Sequence, residues 1–400
     1  MGWLCLRHVI LRRGLDDLDE SNCDEATLAR LICLAEEEGN PSDLLKLARI
    51  YSYKKEWEKL LDAFEKLVAS RRATQEQQAT ANFYAGIAFC ETGRLNEAIS
   101  AYKISVESTQ REDLKAWAHY NLGTTLAQAG FTLESVSEFT KLLELKSPPL
   151  DPLYQGLVNR GSALMDLGRV SEALEDFDRV INAADAPREQ KATALVNRGV
   201  VEGTKLDLDA ALKTSSQVLA MLGIPQGIRA RAAFLSCMTL NESGRPKEFC
   251  NDLFEVLENT DMPTVREILV PNHQIVSIAL IRAIHDQPVR AWPVAISRVI
   301  GSFSRLGYLP SLGRSLISHL GELDWLHRSH EALDFWISCW RDASAKLDAS
   351  ARAVMAIPLR WLSAGIEYLK AHDENILLSL PLEERRILRA VLKSPPETQP

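Results

Sequence analysis

LVNRGSALMDLGRVSEALEDFDRVI, residues 157–181, contains two apolar patterns of helical period, one on each side of Gly168. Spacings of three and four residues place side chains on one face of an α-helix. Small or apolar residues recur at these spacings: Leu157, Gly161 and Leu164 before the glycine, and Ala173, Leu174, Phe177 and Val180 after it. Gly168 lies where a left-handed residue would end the first helix. The stretch therefore predicts two amphipathic helices joined by a tight turn.

A small residue recurs through the middle of the chain at nearly constant spacing. These residues are 37, 38, 38 and 38 positions apart: Gly86, Gly123, Gly161, Gly199 and the equivalent Cys237. A two-helix unit of this length cannot bury its own apolar face and must stack on copies of itself. Gly161 and Ala173 are predicted to lie where the two helices of one unit cross, because small side chains allow close approach. The repeat predicts helical pairs and no strands.

The residues around these glycines resemble the tetratricopeptide repeat. The small-x2-aromatic-x8-Ala-x3-aromatic pattern of that family is matched by Gly86, Phe89, Ala98 and Tyr102, and in the quoted unit by Gly161, Ala173, Phe177 and the following Pro187. The resemblance implies an all-α fold, a right-handed α-solenoid of antiparallel helix pairs. It also implies a concave groove that binds a peptide or a protein segment.

The pattern divides the chain into four expected segments. They are an N-terminal helical extension or divergent repeats over 1–78, an array of about five repeats over 79–260, divergent helical repeats and a cap over 261–393, and a disordered tail over 394–400. The later repeats depart from the pattern. The fourth unit has Glu202 where an aromatic residue is expected and Leu206 where the turn glycine is expected, and the fifth unit keeps only Gly244 at its turn.

The composition is that of a soluble globular chain. The 400 residues are 46% hydrophobic and 25% charged, and no uncharged apolar run of 18 residues occurs. Arg7 and His8 interrupt the apolar start before it reaches the length of a signal-peptide core. We therefore expect a cytoplasmic protein without a membrane partner.

The net charge of -8 disfavours nucleic acid as a partner, because binding to the phosphates of a nucleic acid requires a basic protein surface. The seven cysteines are scattered and include no Cys-x-x-Cys pair, which argues against a disulfide framework and against a zinc ribbon. We expect reduced cysteines that serve as small core residues.

The candidate groove residues come from the resemblance, which implies that the first helix of each unit lines the groove. Asn121, Asn159 and Asn197 stand two positions before successive small residues, and Arg160 and Arg198 follow the last two asparagines. An asparagine amide can both donate to and accept from a peptide backbone, and an arginine can bind a carboxylate. The alternative is that these asparagines bond locally on the helix surface and that the arginines are solvated.

No motif in the sequence indicates catalysis, a metal or a cofactor. Gly199-Val-Val-Glu-Gly-Thr-Lys205 is one residue short of a nucleotide-binding loop, and His327-Arg-Ser-His330-Glu331 has neither the His-Glu-x-x-His nor the His-x-x-Glu-His order of zinc sites. We expect a non-enzymatic interaction scaffold with a protein or peptide partner. The alternative is a sensing or regulatory arm that acts with a separate effector, such as a signalling NTPase or a transcriptional regulator. An enzyme with its active site in residues 263–393 is a third possibility.

Five of the eight tryptophans lie in the C-terminal third: Trp292, Trp325, Trp336, Trp340 and Trp361. The spacing of four between Trp336 and Trp340 favours the core of a divergent repeat. Anchoring of a partner is the alternative.

Overall fold

The computed structural model describes residues 24–243, 273–285, 287–322, 330–371 and 373–393. Within these ranges every regular element is helical, and no strand is present. The chain divides between Ala194 and Leu195 into two compact units, and this division falls inside the expected repeat array. The expected all-α solenoid of consecutive helix pairs is confirmed.

The described part of the first unit begins with α1 and is a series of consecutive helices. They are α1 Glu25–Glu38, α2 Pro41–Lys54, α3 Trp57–Ala69, α4 Gln75–Glu91, α5 Leu95–Ser108, α6 Glu112–Gln128, α7 Thr132–Leu143, α8 Leu150–Asp166 and α9 Val170–Asn182. Helix α10, Arg188–Thr204, contains the division between the units. The pairs α2/α3, α4/α5, α6/α7 and α8/α9 pack internally, and each of the first three also packs on the pair that follows it.

The second unit continues with α11 Leu208–Leu219 and α12 Gln226–Glu242. After the residues outside the description follow α13 His273–His285, α14 Trp292–Leu306, α15 Leu309–Glu322, α16 His330–Ala345, α17 Ala349–Ala371, α18 Glu374–Leu378 and α19 Leu382–Lys393. Gly244, Trp325, His327 and the expected tail 394–400 lie outside the described residues.

Glycines in the left-handed conformation form the turns inside three of the pairs. Gly93, Gly130 and Gly168 have φ of +75°, +84° and +73°, a region that a side chain makes unfavourable. The amide of Gly168 donates to the carbonyl of Met165, so the predicted cap of the quoted unit is confirmed. In the pair α10/α11 the corresponding residue is Leu206, which adopts φ +61° despite its side chain.

Close packing of a glycine on an aromatic ring fixes the crossing of each of these three pairs. A Cβ atom added to Gly161 would lie 2.5 Å from Cε1 of Phe177, a distance that side-chain carbons do not adopt. In the same way Gly86 packs on the ring of Tyr102, and Gly123 packs on the ring of Phe139, each from the partner helix. The predicted helix crossing at Gly161 is confirmed.

Carboxylates in the first turn of α4 and α6 bind the loop that follows each pair. Glu76 accepts hydrogen bonds from the hydroxyl of Thr109 and, at 3.2 Å, from the amide of Gln110. Glu112 accepts from the amide of Ser147 at 3.2 Å. These bonds join the first helix of a pair to the chain entering the next pair, so they hold the repeat spacing.

The tryptophans of the second unit form part of its core, as the sequence analysis favoured. Trp292, Trp336 and Trp340 are all fully buried, and the rings of Trp292 and Trp336 meet edge to face at 4.9 Å. Trp361 is half-buried, and its indole nitrogen donates to Glu384 at 2.5 Å. This bond ties α17 to α19, the last helix of the described residues.

No helix among the described residues is long and apolar enough to cross a membrane.

Candidate functional site

The first helices of two consecutive pairs, α6 and α8, pack against each other in the first unit. Four half-buried side chains meet on this surface: Trp117, Tyr120 and Thr124 from α6, and Asn159 from α8. We call them the aromatic–amide cluster. The indole of Trp117 and the ring of Tyr120 stand edge to face, 5.8 Å apart. The amide nitrogen of Asn159 lies 3.5 Å from the Tyr120 hydroxyl and 3.4 Å from the Thr124 hydroxyl.

Helix geometry explains why α6 presents these three residues together. Trp117, Tyr120 and Thr124 are three and four positions apart, so they follow one stripe of the helix. The side of α6 next to this stripe is buried, with Gly123 against Phe139 of α7. The ring of Tyr120 also lies 6.3 Å from the ring of Phe139, so the packing inside the α6/α7 pair supports it from behind.

The polar atoms of the cluster are neutral and retain bonding capacity. Burial raises the pKa of the Tyr120 hydroxyl, while its hydrogen bonds to Thr124 and Asn159 oppose that shift. The Thr124 hydroxyl donates to the carbonyl of Tyr120 at 3.0 Å, which leaves it as the acceptor for Asn159. Both contacts of Asn159 use its amide nitrogen, and within the described chain its side-chain oxygen makes no hydrogen bond.

Asn121 and Arg160, two of the predicted groove residues, lie between helices. The side chain of Asn121 lies beside the buried Tyr102 hydroxyl on α5 of the preceding pair, where it opposes the rise that burial causes in the pKa of that hydroxyl. The guanidinium of Arg160 donates to both carboxylate oxygens of Asp176 on α9, at 2.7 Å each, and to Thr140 on α7 at 3.1 Å. Asp176 is 1% exposed. Arg160 thus bridges its own pair to the preceding one.

Asn197 and Arg198, the other two predicted residues, belong to the second unit. Asn197 is buried, and its side-chain oxygen accepts a hydrogen bond from Arg231 of α12 at 2.9 Å. Arg198 lies 3.3 Å from Glu202 on its own helix and 3.5 Å from the hydroxyl of Thr214 on α11. Each of these side chains therefore has a protein partner.

The sequence analysis missed Trp117, Tyr120, Thr124 and Arg231 as members of these arrangements. A signal was present for the first three, because their spacing places two aromatic residues and a hydroxyl on one stripe of a first helix. Arg231 gave no comparable signal, since a single arginine 34 residues after Asn197 is recognisable only once α10 and α12 are placed side by side.

The described residues hold no group of three or more histidine, cysteine, aspartate or glutamate side chains placed to bind a metal ion. His330 is exposed at the start of α16. Cys33, Cys90, Cys237 and Cys339, the cysteines in the described ranges, form no disulfide bond with one another.

No family model matches the chain, and no curated protein matches it. Solved structures of helical repeat proteins resemble it. One is YrrB, described as a TPR protein with an unusual peptide-binding site, which is 22% identical over 47% of this chain and 90% of its own, with a TM-score of 0.38. A second is the apo form of the quorum sensor NprR from B. thuringiensis, 12% identical over 89% of this chain and 97% of its own, with a TM-score of 0.46.

A third is the TPR2AB domain of yeast Sti1 in its complex with pHSP90, 17% identical over 57% of this chain and 90% of its own, with a TM-score of 0.22. Likenesses of this degree carry no inference about what this chain binds.

Proposed function

We propose that the chain is a non-enzymatic scaffold whose first unit binds an extended peptide segment across α6 and α8. The observation that carries this proposal is the aromatic–amide cluster, because it combines flat apolar surface with hydrogen-bonding groups on adjacent first helices.

The chemistry of the cluster suits a peptide backbone with an apolar side chain. The side-chain oxygen of Asn159 can accept from a backbone amide, and the Tyr120 hydroxyl can donate to a carbonyl. The half-buried indole of Trp117 offers a surface on which an apolar side chain of the peptide can pack. Backbone recognition together with one apolar contact would tolerate many peptide sequences.

The helices also hold the cluster in place before a ligand arrives. Phe139 packs against both Gly123 and Tyr120, so the α6 stripe has little freedom to move. A binding surface that is already ordered loses little conformational entropy on binding, and this favours affinity.

The remaining predicted residues take a positioning role in this proposal. Asn121 and Arg160 join α6 and α8 to their neighbours, and Asn197 and Arg198 make corresponding links in the second unit. A side chain that already has one protein partner can still bond a ligand, so their direct contact with a peptide stays a prediction.

The test is selection of 12-residue peptides from a displayed random library on the immobilised full chain, followed by fluorescence anisotropy with the enriched peptides. Trp117→Ala removes the apolar surface, and we expect it to weaken binding by about thirtyfold, the effect of losing an aromatic anchor of roughly 2 kcal/mol. Asn159→Ala removes one hydrogen bond, and we expect about a three- to tenfold loss.

Two matched controls lie elsewhere in the same unit. Phe131→Ala removes an aromatic ring that is 46% exposed in the turn before α7, and Asn182→Ala removes an exposed amide at the end of α9. Both should leave the affinity unchanged. The proposal is wrong if no peptide is enriched, or if the cluster variants bind as tightly as the controls while all variants keep their helicity.

A further inference from the structure

A cavity of about 760 Å³ lies between α1, α2 and α3, on elements other than those of the aromatic–amide cluster. Its walls are apolar, with Ile32 and Ala35 from α1, Leu44 and Leu47 from α2, and Ala63 from α3. Cavities of this size and lining are typical of sites for small organic molecules.

Tyr51 supplies a polar group at the wall of this cavity. The side chain is 6% exposed, and within the described part of the chain its hydroxyl makes no hydrogen bond. Burial raises the pKa of this hydroxyl, so the group is neutral at physiological pH. Because this hydroxyl lines the cavity and makes no bond to the described part of the protein, it can bond a ligand or a water molecule there. The cavity therefore offers a hydrogen-bonding group as well as apolar surface.

The charges around the opening are mainly negative. Three lining residues are acidic, Glu36, Glu58 and Asp62, and two are basic, Lys59 and Lys66. Lys66 pairs with Asp62 at 2.7 Å.

Lys59 pairs with Glu56, a residue outside the lining, at 2.6 Å, so both lysines are already neutralised. Glu36 and Glu58 are exposed and form no ion pair within the described residues. The pKa of Lys66 is raised first by its bond to Asp62 and further by the charge of Glu36, and both Lys66 and Glu36 line the cavity. The opening thus carries two carboxylates without paired cations.

We infer that this cavity binds a small organic amine with an aromatic or branched apolar body. The body fills the space against Leu44, Leu47 and Tyr51, and the ammonium group lies at the opening near Glu36 and Glu58. An anion of the same shape meets the unpaired carboxylates and is disfavoured. The site is independent of the peptide surface of the preceding proposal, because no residue is shared.

The probes are 4-phenylbutylamine and 4-phenylbutyrate, which share an apolar body and differ in the sign of their charge. Binding to the full chain is followed by the methyl NMR signals of Ile32, Leu44 and Leu47. We expect the amine to shift these signals and to bind about tenfold more tightly than the carboxylate. Two favourable exposed charge contacts of roughly 0.5–1 kcal/mol each correspond to that ratio.

The double variant Glu36→Gln/Glu58→Gln should bring the two affinities to within about twofold while the amine still shifts the same methyl signals. The matched control is Glu65→Gln/Glu107→Gln, which removes two exposed carboxylates outside the lining and should keep the tenfold preference. Both pairs leave the apolar walls intact, so folding is not at risk. The inference is overturned if neither probe shifts these methyl signals, if both bind equally to the unchanged chain, or if the control loses the preference.

Discussion

The helix pairs α8/α9 and α10/α11, which form the third and fourth units of the glycine pattern that starts at Gly86, have the same repeat spacing but hold their helices together differently. In the third pair Gly161 packs on the ring of Phe177 from the partner helix. In the fourth pair the position of Phe177 is occupied by Ser215. A Cβ atom added to Gly199 would meet Leu235 of α12, in the next pair, at 2.5 Å and Thr214 of the partner helix α11 at 3.3 Å. The ring that fills the space beside the glycine in the third pair is thus replaced in the fourth by side chains from two helices.

The arginine contacts differ in the same manner. Arg160 forms a bidentate pair with Asp176, whereas the position of Asp176 in the fourth pair is occupied by Thr214. Glu202 takes over as the acidic partner there: it lies 3.3 Å from Arg198, and it accepts from the Thr214 hydroxyl at 2.7 Å. The glutamate that breaks the aromatic pattern in the sequence thus replaces a missing carboxylate. The two pairs keep the same spacing of helices, while different residues make the contacts between them.

The largest expected difference between the pairs concerns the aromatic position. Phe177→Ala should destabilise the third pair by about 3–5 kcal/mol, because it opens a cavity beside Gly161. Ser215→Ala should cost less than about 1 kcal/mol, since it removes one hydroxyl bonded to Leu212 at 2.9 Å. Urea unfolding combined with hydrogen exchange of α8, α9 and α11 measures both changes. Equal costs for the two substitutions would show that Phe177 does not hold its pair together.

Loss of the Asp176 carboxylate is expected to have the second-largest effect on stability. Asp176→Ala should cost about 3 kcal/mol, because it leaves the guanidinium of Arg160 without its buried partner. Thr214→Ala should cost about 1 kcal/mol, since Glu202 still faces Arg198. The same unfolding measurement applies. A cost for Thr214→Ala that matches that of Asp176→Ala would contradict the assigned role of Glu202.

A methyl group added at the helix crossing should have a smaller effect. Gly161→Ala places a carbon 2.5 Å from the Phe177 ring, and we expect a loss of about 1–3 kcal/mol. The control is Gly203→Ala in α10, where an added Cβ meets nothing within 4 Å and should gain up to about 1 kcal/mol of helix propensity. If Gly161→Ala is as well tolerated as the control, the close crossing is wrong.

Substitutions in the turn between the two helices of a pair are expected to have the smallest effect on stability. The sign of this effect differs between the two pairs. Leu206→Gly should stabilise the fourth pair by about 1 kcal/mol, because the side chain at φ +61° is strained. Gly168→Ala should destabilise the third pair by a similar amount, since its φ is +73°. The midpoints of thermal unfolding give both signs, and a destabilised Leu206→Gly variant would refute the assigned strain.

The sequence was sufficient for the features that depend on local spacing. The glycine at the crossing, the cap at Gly168 and the helical pairing all follow from the periods of the quoted stretch. Contacts between neighbouring repeats could not be predicted in the same way, because they require the distance between helices that are about 35 residues apart. The placing of Asn159 against Tyr120 and the replacement of the ring by Leu235 belong to this second kind.

The candidate surface was therefore only partly predictable. Asn159 was identified from its place before Gly161, while Trp117 was not, because a half-buried tryptophan on a first helix is also consistent with core packing. Arg160 and Asp176 lie on two different helices. The spacing of residues within one helix therefore could not predict their ion pair, and Arg160 was expected at the groove instead.

Photo-crosslinking locates the bound peptide on the chain: a library-selected peptide carries a benzophenone group, and the linked residues are mapped by mass spectrometry. We expect links within α6 and α8, and their loss in the Trp117→Ala/Asn159→Ala double variant while the Phe131→Ala/Asn182→Ala control keeps them. Links confined to α7 and α9, to the cavity formed by α1, α2 and α3, or to the second unit would contradict the proposed function.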